Sequence, residues 1–190
     1  MVWGDRTKMT AAVALIVLMA TTGCATATTS GPTLADTKSP VQLLRNEVAS
    51  RIPPATIDTV NETQDFSIRC KTESEDPVGL RRSWHSNAQV TVETAAVWRV
   101  DAIVDDVARS FVDQGWTMTP VSVDDRTHAV ELTRDGSASE IRLSAHRPNV
   151  DAPLASDAGE AVTIDIELHG PCVDTEGPDS DAVRKLEAQD

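Results

Sequence analysis

Hydrophobic residues follow a helical period most clearly between residues 100 and 114. They recur at the i, i+3, i+4, i+7 spacing of one helix face, with aspartates near the start and an arginine near the end, as the helix dipole favours. Gly115 follows as a typical residue for ending a helix. The pattern predicts an amphipathic helix whose apolar face contains Val100, Ile103, Val104, Val107, Ala108, Phe111 and Val112.

A second helical pattern runs from residue 39 to residue 52. Ser39 is suited to the N-cap, Pro40 to the first helical position, and the Pro53-Pro54 pair ends the helix. A single apolar stripe on an otherwise polar helix indicates docking on the domain's own core. That stripe consists of Val41, Leu44, Val48 and Ile52.

Six further stretches are predicted to be strands, and several of them alternate clearly between apolar and polar residues. Asp135-Gly136 is a strong hairpin signal between two of them. In the first, Phe66, Ile68 and Cys70 share the apolar side. In the last, the polar side carries Thr163, Asp165, Glu167 and His169. The stretches span residues 65–71, 84–93, 117–123, 127–134, 139–146 and 161–169.

The order of these elements is helix, two strands, helix, four strands. Short connections between consecutive strands imply antiparallel pairing, and two amphipathic helices can cover one face of such a sheet. We therefore expect an α+β fold: a two-layer sandwich with an antiparallel sheet of about five to six strands and two amphipathic helices on one face. The globular domain would span residues 39–173, followed by an acidic C-terminal tail at residues 174–190.

The N-terminal segment predicts export from the cytoplasm. Arg6 and Lys8 precede an apolar run at residues 11–20, which is shorter than the roughly 20 apolar residues that a membrane-spanning helix needs. Small residues then lead to Cys24, so residues 1–23 have the layout of a signal peptide that is cleaved before a lipidated cysteine. Residues 24–38 are small and polar and are predicted to be a flexible tether.

These features place the protein at the extracytoplasmic face of the cell membrane, anchored through lipid such as palmitate on Cys24. A competing interpretation stays open. Ala25-Thr26-Ala27 is also a site for ordinary signal peptidase, and cleavage there would discard Cys24 and release a soluble protein.

The chain has three cysteines, an odd number that needs an explanation in an exported protein. If Cys24 carries lipid, Cys70 and Cys172 remain as an even set and are expected to form a disulfide in an oxidising compartment. The alternative is a pair of buried free thiols. The formal net charge of −13 argues against nucleic acid as a partner, because the phosphate backbone would repel the protein.

No motif for a known chemistry appears in the chain. The four histidines do not fall at zinc-ligand spacings, and no G-x-S-x-G nucleophile motif occurs, so no catalytic residue, metal ligand or cofactor is predicted. His85, His146 and His169 are expected to face solvent or a sheet edge. Trp84 and Trp116 are expected to be core anchors, and Trp98 to be the most exposed tryptophan.

The layout resembles that of small uncharacterised lipoproteins of actinobacteria. The resemblance rests on the T-T-G-C sequence at Cys24, the Thr/Ser/Gly tether, the helix ending at Gly115-Trp116 and the final strand ending at Gly170-Pro171-Cys172. It implies a lipid-anchored envelope domain and transfers no catalytic residue. The expected function is a non-enzymatic binding module for a protein, glycan or lipid. The alternative is a small exported enzyme or enzyme accessory factor.

Overall fold

The computed structural model describes residues 31–137, 139–147 and 161–188. Within these residues, the fold is α+β, and three α-helices lie on one face of a fully antiparallel sheet. The helices are α1 (Leu34–Ser50), α2 (Val100–Val112) and α3 (Asp181–Glu187). The strands are β1 (Ile57–Arg69), β2 (Arg81–Val92), β3 (Thr117–Asp124), β4 (Thr127–Thr133), β5 (Glu140–His146), β6 (Thr163–His169) and β7 (Val173–Asp174).

The strands form one open antiparallel sheet in the order β1-β2-β6-β5-β4-β3, with β7 added to the end of β2. The sheet has more strands than the five to six that we predicted. The additional strand, β7, has two residues, and so short a segment carries no readable alternation. The last long strand, β6, inserts between β2 and β5, so strands that are distant in the sequence lie side by side in the middle of the sheet.

Helix α2 and the glycine after it agree with the predicted pattern. Six of its seven predicted apolar residues are buried, and Val112 is 40% exposed at the helix end. Gly115 has φ +86°, a conformation that favours glycine. The turn brings the Trp116 ring edge-on against Phe111, with ring centroids 5.9 Å apart. The same glycine effect applies in the predicted hairpin, where Gly136 has φ +76°.

Helix α1 begins earlier than predicted. Its N-cap is Thr33 rather than Ser39, and Pro40 lies inside the helix instead of at its first position. Thr33 and Asp36 form a reciprocal capping box, in which each side chain accepts a hydrogen bond from the other residue's backbone N–H. Leu34 and Thr37 are buried, so residues 34–38 belong to the folded domain and not to the tether that we predicted at 24–38.

The faces of β1 are opposite to the prediction. Phe66 is 37% exposed, whereas the neighbouring Ser67 is only 6% exposed and faces the helices. The helix side of this edge strand is polar because charged groups from α1 and α3 lie over it. Arg45 of α1 forms an ion pair with Asp65 at 2.8 Å, and Glu187 of α3 accepts a hydrogen bond from the Ser67 hydroxyl at 2.6 Å.

Asp65 remains ionised in this setting. Burial alone opposes its charged form, but hydrogen bonds from Ser86, Gln42 and Arg45, together with the positive charge of Arg45, outweigh burial and hold the pKa of Asp65 below its usual value. The polar contact between α1 and β1 therefore persists to lower pH than an ordinary aspartate would allow.

The structure of the C-terminal segment also differs from the prediction. We predicted an acidic tail at residues 174–190, but α3 is capped by the Ser180 side chain and buries Val183 to 2% exposure. The Lys38 ammonium group donates to the Leu186 carbonyl at 2.8 Å, which joins α1 to α3. Helix α3 therefore completes the helix layer.

Cys70 and Cys172 are joined by a disulfide, as the cysteine count predicts, with Cα atoms 6.0 Å apart. The bond connects the end of β1 to the segment that leads into β7. Between β1 and β2, the Asp76 carboxylate accepts backbone N–H groups of Gly79, Leu80 and Arg81 at 2.8–3.0 Å. The N–H groups of Arg81 and Leu80 contribute most to holding the pKa of Asp76 below its usual value.

No helix in residues 31–137, 139–147 and 161–188 combines the length and the apolar character that crossing a membrane requires. The predicted signal peptide and residues 24–30 of the predicted tether, which include Cys24, lie outside the described residues.

Candidate functional site

The face of the sheet opposite the helices is predominantly polar. Strand alternation places Trp84, Ile166 and Leu143 toward the helices, where each is at most 1% exposed. The residues between them point the other way, and in β6 these are the predicted outward residues Thr163, Asp165, Glu167 and His169. This polar face contains the candidate site.

A cleft of about 520 Å³ lies on this face where β2, β6, β5 and β4 run side by side. We call it the face cleft. Its lining is mostly polar and includes amide, hydroxyl, carboxylate, imidazole and guanidinium groups. The lining residues are Asn61, Gln89, Thr91, Asp124, Arg126, Thr127, His146, Arg147, Ala161, Thr163 and Asp165.

Asp165 is the centre of the hydrogen bonds in the face cleft. One carboxylate oxygen accepts a hydrogen bond from the Gln89 amide at 2.9 Å, and the other lies 2.9 Å from Nε2 of His146. The register explains the contacts, because Gln89 lies directly opposite Asp165 in β2, and Ser144, the residue two before His146, lies opposite it in β5.

A hydrogen-bonded relay extends from Asp165 through His146 to Thr127. His146 Nδ1 lies 3.1 Å from the Thr127 hydroxyl, while its Nε2 faces Asp165. Hydroxyl, imidazole and carboxylate in this order can orient one histidine tautomer and polarise the hydroxyl. The Thr127 residue is only 9% exposed, whereas the side chain of His146 is 43% exposed.

Two other groups of hydrogen bonds define the walls of the face cleft. The Asn61 amide donates to the Thr91 hydroxyl at 2.7 Å and to the Gln89 amide oxygen at 3.2 Å. At the other wall, Asp124 accepts the backbone N–H of Arg126 at 2.8 Å. This bond and a further one from the Thr127 side chain lower the pKa of Asp124. Polar groups with fixed orientation are typical of specific sites for small ligands.

A second cluster lies on the same face, toward the opposite ends of β2 and β6. His85 and His169 are paired in register, their ring centroids are 4.7 Å apart, and their Nδ1 atoms are 3.5 Å apart. Phe66 of β1 packs on His85 at 4.7 Å between centroids. We call these three residues the histidine pair cluster. Burial, and next the nearby His169, lower the pKa of His85, while the carboxylates of Glu167 and Asp65 oppose that shift.

The comparisons with known proteins add little to this geometry. No family model matches the chain, and no curated protein matches it. The chain is similar to a crystal structure described as that of the putative lipoprotein LppA from Mycobacterium tuberculosis. The sequence identity is 11%, the TM-score is 0.27, and the match covers 73% of this chain and 74% of that chain. At this TM-score the likeness carries no argument about fold or function.

The histidines and tryptophans considered in the sequence analysis lie in different parts of the structure. His128 faces the helix layer, where its Nε2 lies 2.8 Å from Asp105 of α2. Trp84 and Trp116 are core residues at 0% and 4% exposure, and Trp98 is 81% exposed, all as predicted. His85 was expected to face solvent or an edge, but it is 8% exposed because Phe66 and His169 pack against it.

Sequence reasoning missed Thr127, His146 and Asp165 as a group. His146 lies 19 positions after Thr127, and Asp165 lies on a third strand, so no local motif contains them. The sequence offered one signal for these residues, namely that each lies on the polar side of its strand. In the described part of the chain, no group of three or more histidine, cysteine, aspartate or glutamate residues is placed to hold a metal ion.

Proposed function

We propose that the protein is a lipid-anchored binding domain on the extracytoplasmic face of the cell membrane, with the face cleft as its ligand site. The observation that carries the binding role is the cleft itself, whose polar groups are held in fixed directions around Asp165. The location is supported by the signal-like residues before Cys24 and by a disulfide, which persists in oxidising compartments.

The lining of the cleft favours a small hydroxyl-rich ligand such as a sugar. Carboxylate, amide and hydroxyl side chains can pair with several ligand hydroxyl groups at once, and Asp165, Gln89 and Thr91 supply one of each in the cleft. The same lining disfavours a lipid tail or an apolar protein surface, because burying these polar groups against hydrocarbon would leave them without partners.

A hydrolytic function is the second candidate, and the relay of Thr127, His146 and Asp165 favours it. In such a reaction the Thr127 oxygen would attack an acyl carbonyl, His146 would take the hydroxyl proton and pass it to the leaving group, and water would release the acyl group. Binding ranks first because Thr127 is 9% exposed, which restricts the approach of a substrate carbonyl.

Ligand binding can be tested with a panel of soluble mono- and disaccharides, including N-acetylated amino sugars, by saturation-transfer NMR followed by calorimetry. We expect at least one sugar to bind, and Asp165→Ala to weaken it by at least about tenfold, since hydrogen bonds to a charged group contribute about 1.5–3 kcal/mol. Asp105→Ala is the matched control, because Asp105 also faces a histidine Nε2 but lies on the helix side.

Two results would contradict binding in the face cleft: no sugar of the panel binds, or Asp165→Ala and Asp105→Ala behave alike. The hydrolytic candidate predicts something different, namely turnover of an activated acyl ester that disappears in Thr127→Val.

Anchoring is tested separately with Cys24→Ser. We expect this variant to move from the membrane fraction to the soluble fraction, because it removes the sulfur that would carry lipid. The intact mass of the wild-type protein should show cleavage before Cys24 plus added lipid. A soluble wild-type product beginning after Ala27 would instead support ordinary signal peptidase and contradict the anchor.

A further inference from the structure

The histidine pair cluster has a geometry that the face cleft does not explain. His85 and His169 are directly opposite each other on β2 and β6, and both point to the polar face of the sheet. Their rings are tilted by 50°, and the Nδ1 atoms approach to 3.5 Å. For a hydrogen bond between two neutral imidazoles, this separation is at the outer limit of the normal range.

The same separation fits two ligands of one metal ion. Zinc binds histidine nitrogen at about 2.0–2.1 Å in tetrahedral geometry, which places two ligand nitrogens about 3.4 Å apart. The observed distance of 3.5 Å between the two Nδ1 atoms is close to that value, and a small ring rotation would remove the difference. The face cleft offers no equivalent pair, since His146 already uses both ring nitrogens, on Thr127 and on Asp165.

The surroundings of the pair favour a cation. Glu140 of β5 lies opposite His169, and Glu167 lies two residues before His169 on the same side of β6. Phe66 packs against His85 and restricts its ring orientation, as outer-shell groups do at metal sites.

We propose that His85 and His169 form a binding site for a divalent transition-metal cation of the zinc class, bridging β2 and β6. Both Nδ1 atoms ligate the ion, and water completes the coordination, because no third side chain among the described residues is placed as a ligand. Imidazole is a ligand that suits zinc, copper and nickel, whereas magnesium and calcium require oxygen ligands. The site therefore discriminates against the two abundant hard cations.

The test is calorimetric titration of the full chain, without a polyhistidine tag, with zinc chloride. We expect one zinc ion per chain, no binding of magnesium, and a loss of affinity of at least about tenfold in His85→Gln and in His169→Gln. His128→Gln is the matched control, since His128 lies on the helix side against Asp105, and it should bind zinc as the wild type does.

A measurement on the wild type alone covers the case in which a variant fails to fold. Zinc should shift the imidazole nitrogen NMR signals of His85 and His169 and leave those of His128 and His146 unchanged. The proposal is overturned if zinc does not bind, if magnesium binds equally well, or if the shifted signals belong to His128 or His146.

Discussion

Replacing Val104 with aspartate is expected to abolish cooperative folding of the domain. Val104 is 1% exposed and lies in the middle of α2, on the face that packs against β4 and β5. The substitution would bury a carboxylate among the apolar side chains of the core. Burial of an unpaired charge is among the most destabilising single changes, and we expect a loss of more than about 4 kcal/mol.

The control is the same substitution at the end of the same helix. Val112 is 40% exposed, so an aspartate there keeps its hydration and meets only the unfavourable helix dipole. We expect Val112→Asp to change the unfolding free energy by less than about 1 kcal/mol. Urea or thermal unfolding followed by circular dichroism measures both variants. A normal transition for Val104→Asp would mean that α2 does not pack as described.

Removing the Cys70–Cys172 disulfide is expected to produce the second large effect. The bond joins residues separated by 102 positions, so it removes much of the conformational freedom of the unfolded chain. We expect the double variant Cys70→Ser, Cys172→Ser to lose about 2–5 kcal/mol of unfolding free energy. The effect should appear as a lower urea midpoint.

Reduction of the wild type provides an independent comparison. A thiol reductant should lower the midpoint of the wild type to that of the double variant and should not affect the double variant itself. Cys24→Ser keeps both disulfide cysteines and should retain the wild-type midpoint. An unchanged midpoint after full reduction would show that the bond does not contribute to stability. Recovery of both cysteines as free thiols from unreduced protein would contradict the bond itself.

The sequence alone identified the elements whose partners are apolar. The stripe of α2, the inward residues of β2 and β6, and the turns at Gly115 and Gly136 were all readable, because each depends on a period or a backbone preference within a few residues. The pairing of Cys70 with Cys172 followed from counting cysteines.

Sequence reasoning failed where charged groups from distant elements cover a strand. The alternation in β1 placed Phe66 inward, but Arg45 and Glu187 come from the two ends of the domain and make the other side of β1 the covered one. The docking of α3 was missed for a related reason, because it depends on contact with α1, as in the bond from Lys38 to Leu186. The start of α1 was missed although its capping box of Thr33 and Asp36 is local.

The candidate sites could be predicted from the sequence only in part. The outward direction of Asp165 and His169 on β6 followed from alternation along a single strand, so the sequence determined which side of the sheet is polar. Which polar residues meet is a matter of strand order and register. The insertion of β6 between β2 and β5 brings Asp165 to His146 and His169 to His85. The tertiary structure alone decided those contacts, because strand pairing depends on the whole sheet and not on any one segment.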